Sequence, residues 1–273
     1  MNFSQSDQSI RRDKIRRELE NAIAEKQFHL NYQPLIDVKK GVIMGMEALL
    51  RWNHPELGNV SPMEFIPIAE ESDMIKKIGE WVLYEACTQN TKWQRAGFLP
   101  IRVAVNISAV HFQDPWFITL VKNALTETAL DPAYLEIELT ENSLLKDIDE
   151  SVHKIQELKR MGVRVAIDDF GTGYSSFSYL KQLPVDSLKI DRSFIKDLEV
   201  DKRDSLIVAA IINLVHALGL EVVAEGVETI EAFRFLSEKK CDGLQGYLFS
   251  KPLANQEAES LVKKPFKYSY LLT

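Results

Sequence analysis

Two adjacent carboxylates, Asp168 and Asp169, stand where an apolar, β-branched run over residues 163–167 gives way to Phe170-Gly171-Thr172-Gly173. The run reads as a buried strand and the glycines as a turn. Successive strand side chains point to opposite faces, so the two aspartates share one task only if the chain turns there or cations sit between them. Taken alone, they could equally be a turn residue and a cap. Polar groups close other short apolar runs as well: Asn106 after residues 101–105, Glu138-Leu139-Thr140-Glu141 after 134–137, and Lys189-Ile190-Asp191 after 187–188. Glu225-Gly226-Val227-Glu228 follows residues 220–224, and Gln245 ends the run 242–245. An earlier apolar stretch, residues 42–52, contains Glu47-Ala48-Leu49-Leu50-Arg51. A glutamate there is costly unless paired or metal-bound; a structural contact with Arg51 is the alternative.

If these strand ends converge, Glu47, Glu138, Glu141, Asp168, Asp169 and Glu225 share one mouth with the neutral Asn106 and a single Lys189. Two like charges about 4 Å apart cost about 4 kcal/mol at an effective dielectric of about 20, and several such pairs amount to a large fraction of a domain's stability. One lysine cannot offset them, so either acids are protonated or cations bind. Oxygen donors, with no Cys or His at the strand ends, favour Mg²⁺ or Mn²⁺ over Zn²⁺. Two such ions about 3.5–4 Å apart suit in-line displacement at phosphorus, which makes phosphate-ester hydrolysis the natural reaction class. No GxxxxGK loop is present to cradle phosphates, so a substrate would be held through metals and a few side chains.

The elements that must position these groups follow from their spacing. From Asn106 to Glu138, Asp168, Lys189, Glu225 and Gln245 the intervals are 32, 30, 21, 36 and 20 residues, each suited to one βα unit. Six such strands plus two earlier ones, residues 28–33 and 42–52, make the eight that close a β/α barrel. The link around Asp37-Val38-Lys39-Lys40-Gly41 is too short for a parallel crossover, so the first two strands form an antiparallel hairpin. The expected fold is α/β, a modified TIM-like (β/α)8 barrel with one antiparallel strand. Helical spacing of Ile15, Leu19 and Ile23 predicts a helix over 10–25, Ser61-Pro62-Met63-Glu64 a capped helix start, and residues 74–96 a long helix stopped at Gly97. Residues 1–17 read as a linker or connector helix, 18–260 as the barrel and 261–273 as a frayed tail.

The formal net charge of −7 argues against DNA as a partner, since a nucleic-acid surface needs a basic face. Cys87 and Cys241 look like reduced core residues, and no signal peptide opens the sequence, which together fit a cytoplasmic setting. The apolar run 206–224 is interrupted by Asn213, His216, Gly219 and Glu221 and reads as helix, turn and strand rather than a membrane span. The histidines form no cluster. Tyr247 and Phe249 read most simply as core.

The motifs named above, together with Tyr32-Gln33-Pro34, Asp168-Asp169-Phe170-Gly171-Thr172-Gly173 and Gln245-Gly246-Tyr247-Leu248-Phe249-Ser250, resemble the EAL-domain family of cyclic di-GMP phosphodiesterases. The likeness runs over about residues 18–256. It implies hydrolysis of cyclic di-GMP to linear pGpG with two Mg²⁺ or Mn²⁺ ions, Ca²⁺ being inhibitory. It further implies that Glu47, Asn106, Glu138 and Asp168 hold one metal, that Asp168, Asp169 and Glu225 surround the second, and that Lys189 contacts the attacking water. Glu47, Lys189 and Glu225 are the expected catalytic groups. Gln33, Leu49, Arg51 and Gln245 match substrate-contacting positions, while Glu141, Asp191 and Glu228 match residues that orient ligands without touching the metal. A receptor that binds the dinucleotide without cutting it is the competing reading. The resemblance also implies a homodimer through the segment after Asp169, with Phe177 and Leu180 as its apolar face. It points to an upstream sensory or GGDEF domain in a longer chain, and to a location that is cytoplasmic or the cytoplasmic part of a membrane-attached protein.

Overall fold

The computed structural model describes residues 5–171, 177–198 and 202–263, with backbone alone for 5–8, 177 and 178. Helix α1 (Gln5–Ala22) leads into strands β1 (Phe28–Asp37) and β2 (Val42–His54), the short β3 (Gly58–Val60), and helices α2 (Pro62–Glu71) and α3 (Met74–Arg95). Strands and helices then alternate: β4 (Arg102–Ile107), α4 (Ala109–Phe112) and α5 (Phe117–Thr128), followed by β5 (Leu135–Thr140), α6 (Glu141–Leu145) and α7 (Ile148–Arg160). Next come β6 (Arg164–Phe170), α8 (Phe177–Leu180), β7 (Ser187–Ile190), α9 (Arg192–Ile195) and α10 (Lys202–Ala217). Strand β8 (Glu221–Ala224), α11 (Ile230–Glu238), β9 (Gly243–Leu244), β10 (Leu253–Ala254) and α12 (Asn255–Lys263) complete the described chain.

Neighbouring strands from β2 through β4, β5, β6, β7 and β8 to β9 pair in parallel. Strand β1 closes the barrel, running antiparallel to both β2 and β9. The expected reversed strand is therefore β1, and the hairpin forms as its short link requires. Side strands β3 and β10 extend the rim by pairing with β2 and β1. The barrel strands are apolar nearly throughout because helices cover their outer face while side chains fill the interior; Val103, Val105, Ile137, Val165, Ile167, Leu188 and Val222 are all buried.

At the N-terminal ends of the parallel strands four charges form a neutral quartet. Arg164 Nε lies 3.0 Å from Glu136 and its Nη2 2.7 Å from Glu221, while Arg102 stands 3.8 and 3.7 Å from the same two carboxylates. This end of the barrel is paired and serves stability.

Helix α1 is longer at its start than its sequence spacing suggested, and Ile15 and Leu19 are buried in the common core. A division between residues 17 and 18 thus falls inside one continuous helix. Its basic face reaches α2 and the preceding turn: Arg11 meets Glu64 at 2.7 Å, Arg12 and Arg16 meet Glu71 at 2.6 and 2.8 Å, and Lys14 meets Glu56 at 2.5 Å. Ser61 caps α2 by accepting the Met63 N–H at 3.3 Å. The Arg11 guanidinium, and after it the backbone of Ser61, hold the Glu64 carboxyl below its usual range. Helix α3 stops at Gly97, whose φ of +83° is open to glycine.

Candidate active site

Each parallel strand delivers its polar end to the C-terminal mouth, the face at which barrels of this kind carry their chemistry. Lys189, at the end of β7, is 2% exposed. Its ammonium lies 2.6 Å from Glu225, 2.9 Å from Glu138, 3.3 Å from Asp168 and 3.5 Å from Glu47, carboxylates carried by β2, β5, β6 and the exit of β8. Glu47 accepts from Asn106 Nδ2 at 2.6 Å and from Gln245 Nε2 at 2.5 Å, and Gln245 also donates to Gln33 Oε1 at 3.0 Å. Gln33 in turn donates to the Ser250 carbonyl at 3.0 Å. The structural alternative of a Glu47–Arg51 contact is not what forms, because Glu47 is taken up by the mouth and Arg51 Nη1 donates to the Leu50 carbonyl at 2.8 Å.

Asp168 and Asp169 both serve the mouth because the chain turns between them. Asp169 has φ +53°, in the left-handed region, and the β6–β7 register breaks between Ile167 and Phe170. Aspartate tolerates this conformation better than most residues. As a result carboxylate oxygens of Asp168, Asp169 and Glu225 lie within 4.8 Å of one another.

The electrostatics follow from five carboxylates around one ammonium. Burial, then repulsion from Glu47, Asp168 and Glu225, raises the Glu138 carboxyl well above its usual range despite Lys189. Burial, with Asp168 and Glu47 adding to it against Lys189, pushes Glu225 up to about 8. Asp169 rises to about 6, through burial first and Asp168 second. Burial would raise Glu47 too, but the Lys189 charge and the amide donors of Gln245 and Asn106 outweigh it and leave the carboxyl lowered. For Lys189 burial favours the neutral amine, yet the surrounding carboxylates raise its pKa well above the ordinary lysine value.

The residues present fit hard divalent cations. Lys189 Nζ is shared among four carboxylates, and Glu138 Oε2 at 2.9 Å and Asp168 Oδ1 at 3.3 Å have among the described residues no donor besides that one ammonium. Buried acceptors of that kind are costly unless something fills them, and an all-oxygen donor set suits Mg²⁺ or Mn²⁺.

Other expected site residues lie further out. Glu141 is the first residue of α6, where it accepts from the Tyr179 hydroxyl and stands 3.5 Å from the Gly171 N–H. It therefore ties down both ends of the segment that follows Asp169. Asp191 caps α9 by accepting the Ser193 N–H at 2.9 Å. Glu228 lines the acidic cleft at its rim, together with Gln33, Glu47, Asp168, Glu225 and Gln245. Leu49 divides this cleft from an apolar cavity of about 370 Å³, walled by β2, α2 and α3 and reached also by Arg51, Asn106 and Asp169. Residues 172–176 and the side chain of Phe177 lie outside the described residues. Leu180, expected on an exposed face, is 2% exposed and packs into its own barrel.

Three residues near the site escaped the sequence reading. Tyr247 is 55% exposed and lines the acidic cleft instead of joining the core. The residue before it, Gly246, packs directly on the β8 exit, where an added Cβ would stand 2.1 Å from the Val227 carbonyl oxygen. His111 is buried at the wall of the apolar cavity, its Nδ1 without a partner among the described residues and its pKa pushed down to about 4 by burial. Arg192 lines the acidic cleft from the first turn of α9. Its place directly after Lys189-Ile190-Asp191 was the available signal.

Fold and site together define a modified β/α barrel whose mouth is built from carboxylates suited to divalent cations. The chain belongs to the EAL domain family, whose profile matches residues 16–252. It is 44% identical over 240 residues to the bifunctional diguanylate cyclase/cyclic di-GMP phosphodiesterase MucR of Pseudomonas aeruginosa, covering 88% of this chain and 35% of that protein. It is 42% identical over 246 residues to the cyclic di-GMP phosphodiesterase NbdA of the same organism, covering 90% of this chain and 31% of NbdA. The chain thus spans about a third of the length of these relatives. The solved MucR phosphodiesterase in its c-di-GMP complex superposes with a TM-score of 0.87 at 43% identity, over 90% of this chain and 99% of that one. No helix among the described residues is long and apolar enough to cross a membrane.

Proposed function

We propose that this chain is a metal-dependent phosphodiesterase that opens cyclic di-GMP to linear pGpG and so removes a bacterial second messenger. The observation that carries the reading is the convergence of Glu47, Glu138, Asp168 and Glu225 on the buried Lys189, with Asp169 turned in beside them. Glu47, Asn106, Glu138 and Asp168 would hold one Mg²⁺ or Mn²⁺, and Asp168, Asp169 and Glu225 a second. When bound, these ions supply Lewis-acid stabilisation and a water ionised near neutral pH.

The chain's own residues do the rest. Lys189 holds the carboxylates together and presents positive charge to the phosphate as negative charge develops on it. Gln245 and Asn106 fix the Glu47 carboxylate by donating to its two oxygens. The apolar cavity beyond Leu49 takes one guanine base, with Arg51 at its edge, while the phosphate lies over the acidic cleft. Ca²⁺ binds but supports little turnover, because it prefers longer bonds and looser coordination.

The test is incubation of the purified chain with cyclic di-GMP and Mg²⁺ or Mn²⁺, with separation of the products. Appearance of pGpG is the expected result. Binding without cleavage would establish the receptor reading instead, and neither binding nor cleavage would remove both. A cytoplasmic location, further domains in a longer chain and pairing with a second copy near the segment after Asp169 belong to the same proposal. With Leu180 buried, that pairing rests on other side chains, and light scattering alongside turnover tests it.

A further inference from the structure

Cyclic di-GMP is a ring with two phosphodiester anions, of which one is cut. With one diester over the acidic cluster, the ring would carry the uncut phosphate toward the edge of the cleft, which is lined by Glu47, Asp168, Glu225 and Glu228. The metals would serve the diester that is cut, and at the cleft edge, beside Glu228, a cationic side chain would favour the other one.

Arg192 is such a cation. It is the first residue of α9, three positions after Lys189, and the Asp191 cap on the Ser193 N–H at 2.9 Å fixes where the helix begins. Its stem is held against the exit of β8. A Cβ on Gly226, whose φ is +68°, would stand 2.4 Å from the Arg192 Cβ and 3.2 Å from its Cα, so glycine is what lets the two backbones approach. The side chain is exposed and lines the acidic cleft, yet among the described residues its guanidinium makes no ion pair and no side-chain hydrogen bond. Arg11, Arg12 and Arg16 are engaged on α2, whereas Arg95, Arg160 and Arg234 are exposed and unpaired among the described residues as Arg192 is; what sets Arg192 apart is its place in the acidic cleft. A planar fork of N–H donors matches two phosphate oxygens.

Resting on the phosphodiesterase reading, we propose that Arg192 seats the uncut phosphate of the cyclic dinucleotide and so sets the preference for a two-phosphate ring over a single diester. Asp191 is then a positioning residue for Arg192, which accounts for a buried-mouth motif whose last carboxylate points to a backbone N–H.

Steady-state kinetics of the wild-type chain, Arg192→Ala and Arg192→Lys, with Mg²⁺, on cyclic di-GMP and on bis(p-nitrophenyl) phosphate test this. The second compound is a diester with one phosphate and nothing for Arg192 to hold. Arg192→Ala is expected to raise KM for cyclic di-GMP about ten- to a hundredfold, the scale of a lost charge-assisted contact, with kcat within about twofold. Arg192→Lys recovers part of the loss, because it keeps the charge and loses the fork. Turnover of the single diester stays within about twofold, and melting temperatures are unchanged. An unaltered KM for cyclic di-GMP, or an equal loss on both substrates, overturns the inference while the phosphodiesterase reading stands. A wild-type chain that cuts the single diester and leaves cyclic di-GMP intact overturns both.

Discussion

Asp168 and Asp169 are consecutive residues of one strand, and both present carboxylate oxygens to the same few ångströms of the mouth because Asp169 adopts φ +53°. The backbone turn, rather than the side-chain type, is what converts an alternating strand into a two-acid site. Left-handed backbone costs a non-glycine residue on the order of 1–2 kcal/mol, less for Asp and Asn.

Asp169→Asn keeps the side-chain shape and the tolerance for this turn but removes a charge from a repelling cluster. Turnover is expected to fall at least about a hundredfold, the melting temperature to hold or rise. Near wild-type activity would take Asp169 out of the metal site. A large drop in melting temperature would mean that the charge itself is stabilising.

Mouth acids with raised pKa values make the metal-free fold sensitive to alkali. Glu225 near 8 and Asp169 near 6 retain protons in the folded chain that the unfolded chain, with ordinary carboxylates, has already released. Between about pH 4.5 and 8 the folded state therefore binds more protons, and stability falls as pH rises. Divalent cations compete with those protons, so their stabilising effect grows over the same interval. Melts in chelator should be lower at pH 8.5 than at pH 6, and the gain on adding Mg²⁺ larger at pH 8.5. A Mg²⁺ shift independent of pH would contradict the assignment of these acids as ligands.

Lys189→Ala removes the ammonium beside four mouth acids, and at pH 8.5, where Glu225 has passed its pKa of about 8, it leaves their charge without a partner. Removing one partner of a buried ion cluster costs about 3–5 kcal/mol, and the metal-free variant is expected to melt well below wild type. Saturating Mg²⁺ should restore much of that loss without restoring turnover. Equal melting of the two chains in chelator at pH 8.5 would show that the ammonium does not hold the cluster together.

The apolar cavity gives a separate test. Gly79 sits within α3, where alanine would normally gain about 1 kcal/mol. Here a Cβ would stand 2.2 Å from His111 Nδ1, and overpacking of about 1–3 kcal/mol cancels the gain while shifting the ring within the cavity wall. Gly79→Ala should raise KM for cyclic di-GMP with kcat little changed. An unaffected KM would separate the cavity from the substrate.

Much of the barrel was legible because each strand from β4 to β8 is short, apolar and closed by a polar residue, so Asn106, Glu138, Asp168, Lys189 and Glu225 marked both the strand ends and the mouth. The hairpin was legible from a link too short to cross over. What stayed hidden depends on distant packing. The sign of φ at Asp169 is not written in its type. Glu141 finds Tyr179 38 residues away. Leu180 and Tyr247 exchange the places that their apolar character suggested, since the barrel wall takes the first and the second lines the acidic cleft. The cavity wall is assembled from α2 and α3, outside the repeating unit that organised the sequence.

The two ends of the barrel differ in a way that favours an order of events. At one end Arg102, Glu136, Arg164 and Glu221 cancel; at the other, five carboxylates face one ammonium. The metal-free chain therefore carries a lopsided field along its axis, drawing cations toward the mouth and turning anions away. Once Asp169 and Glu225 have given up their protons, a doubly charged dinucleotide is turned away more strongly before the cations arrive than after, which favours loading of metal before nucleotide. Raising ionic strength flattens that field and is expected to slow metal capture.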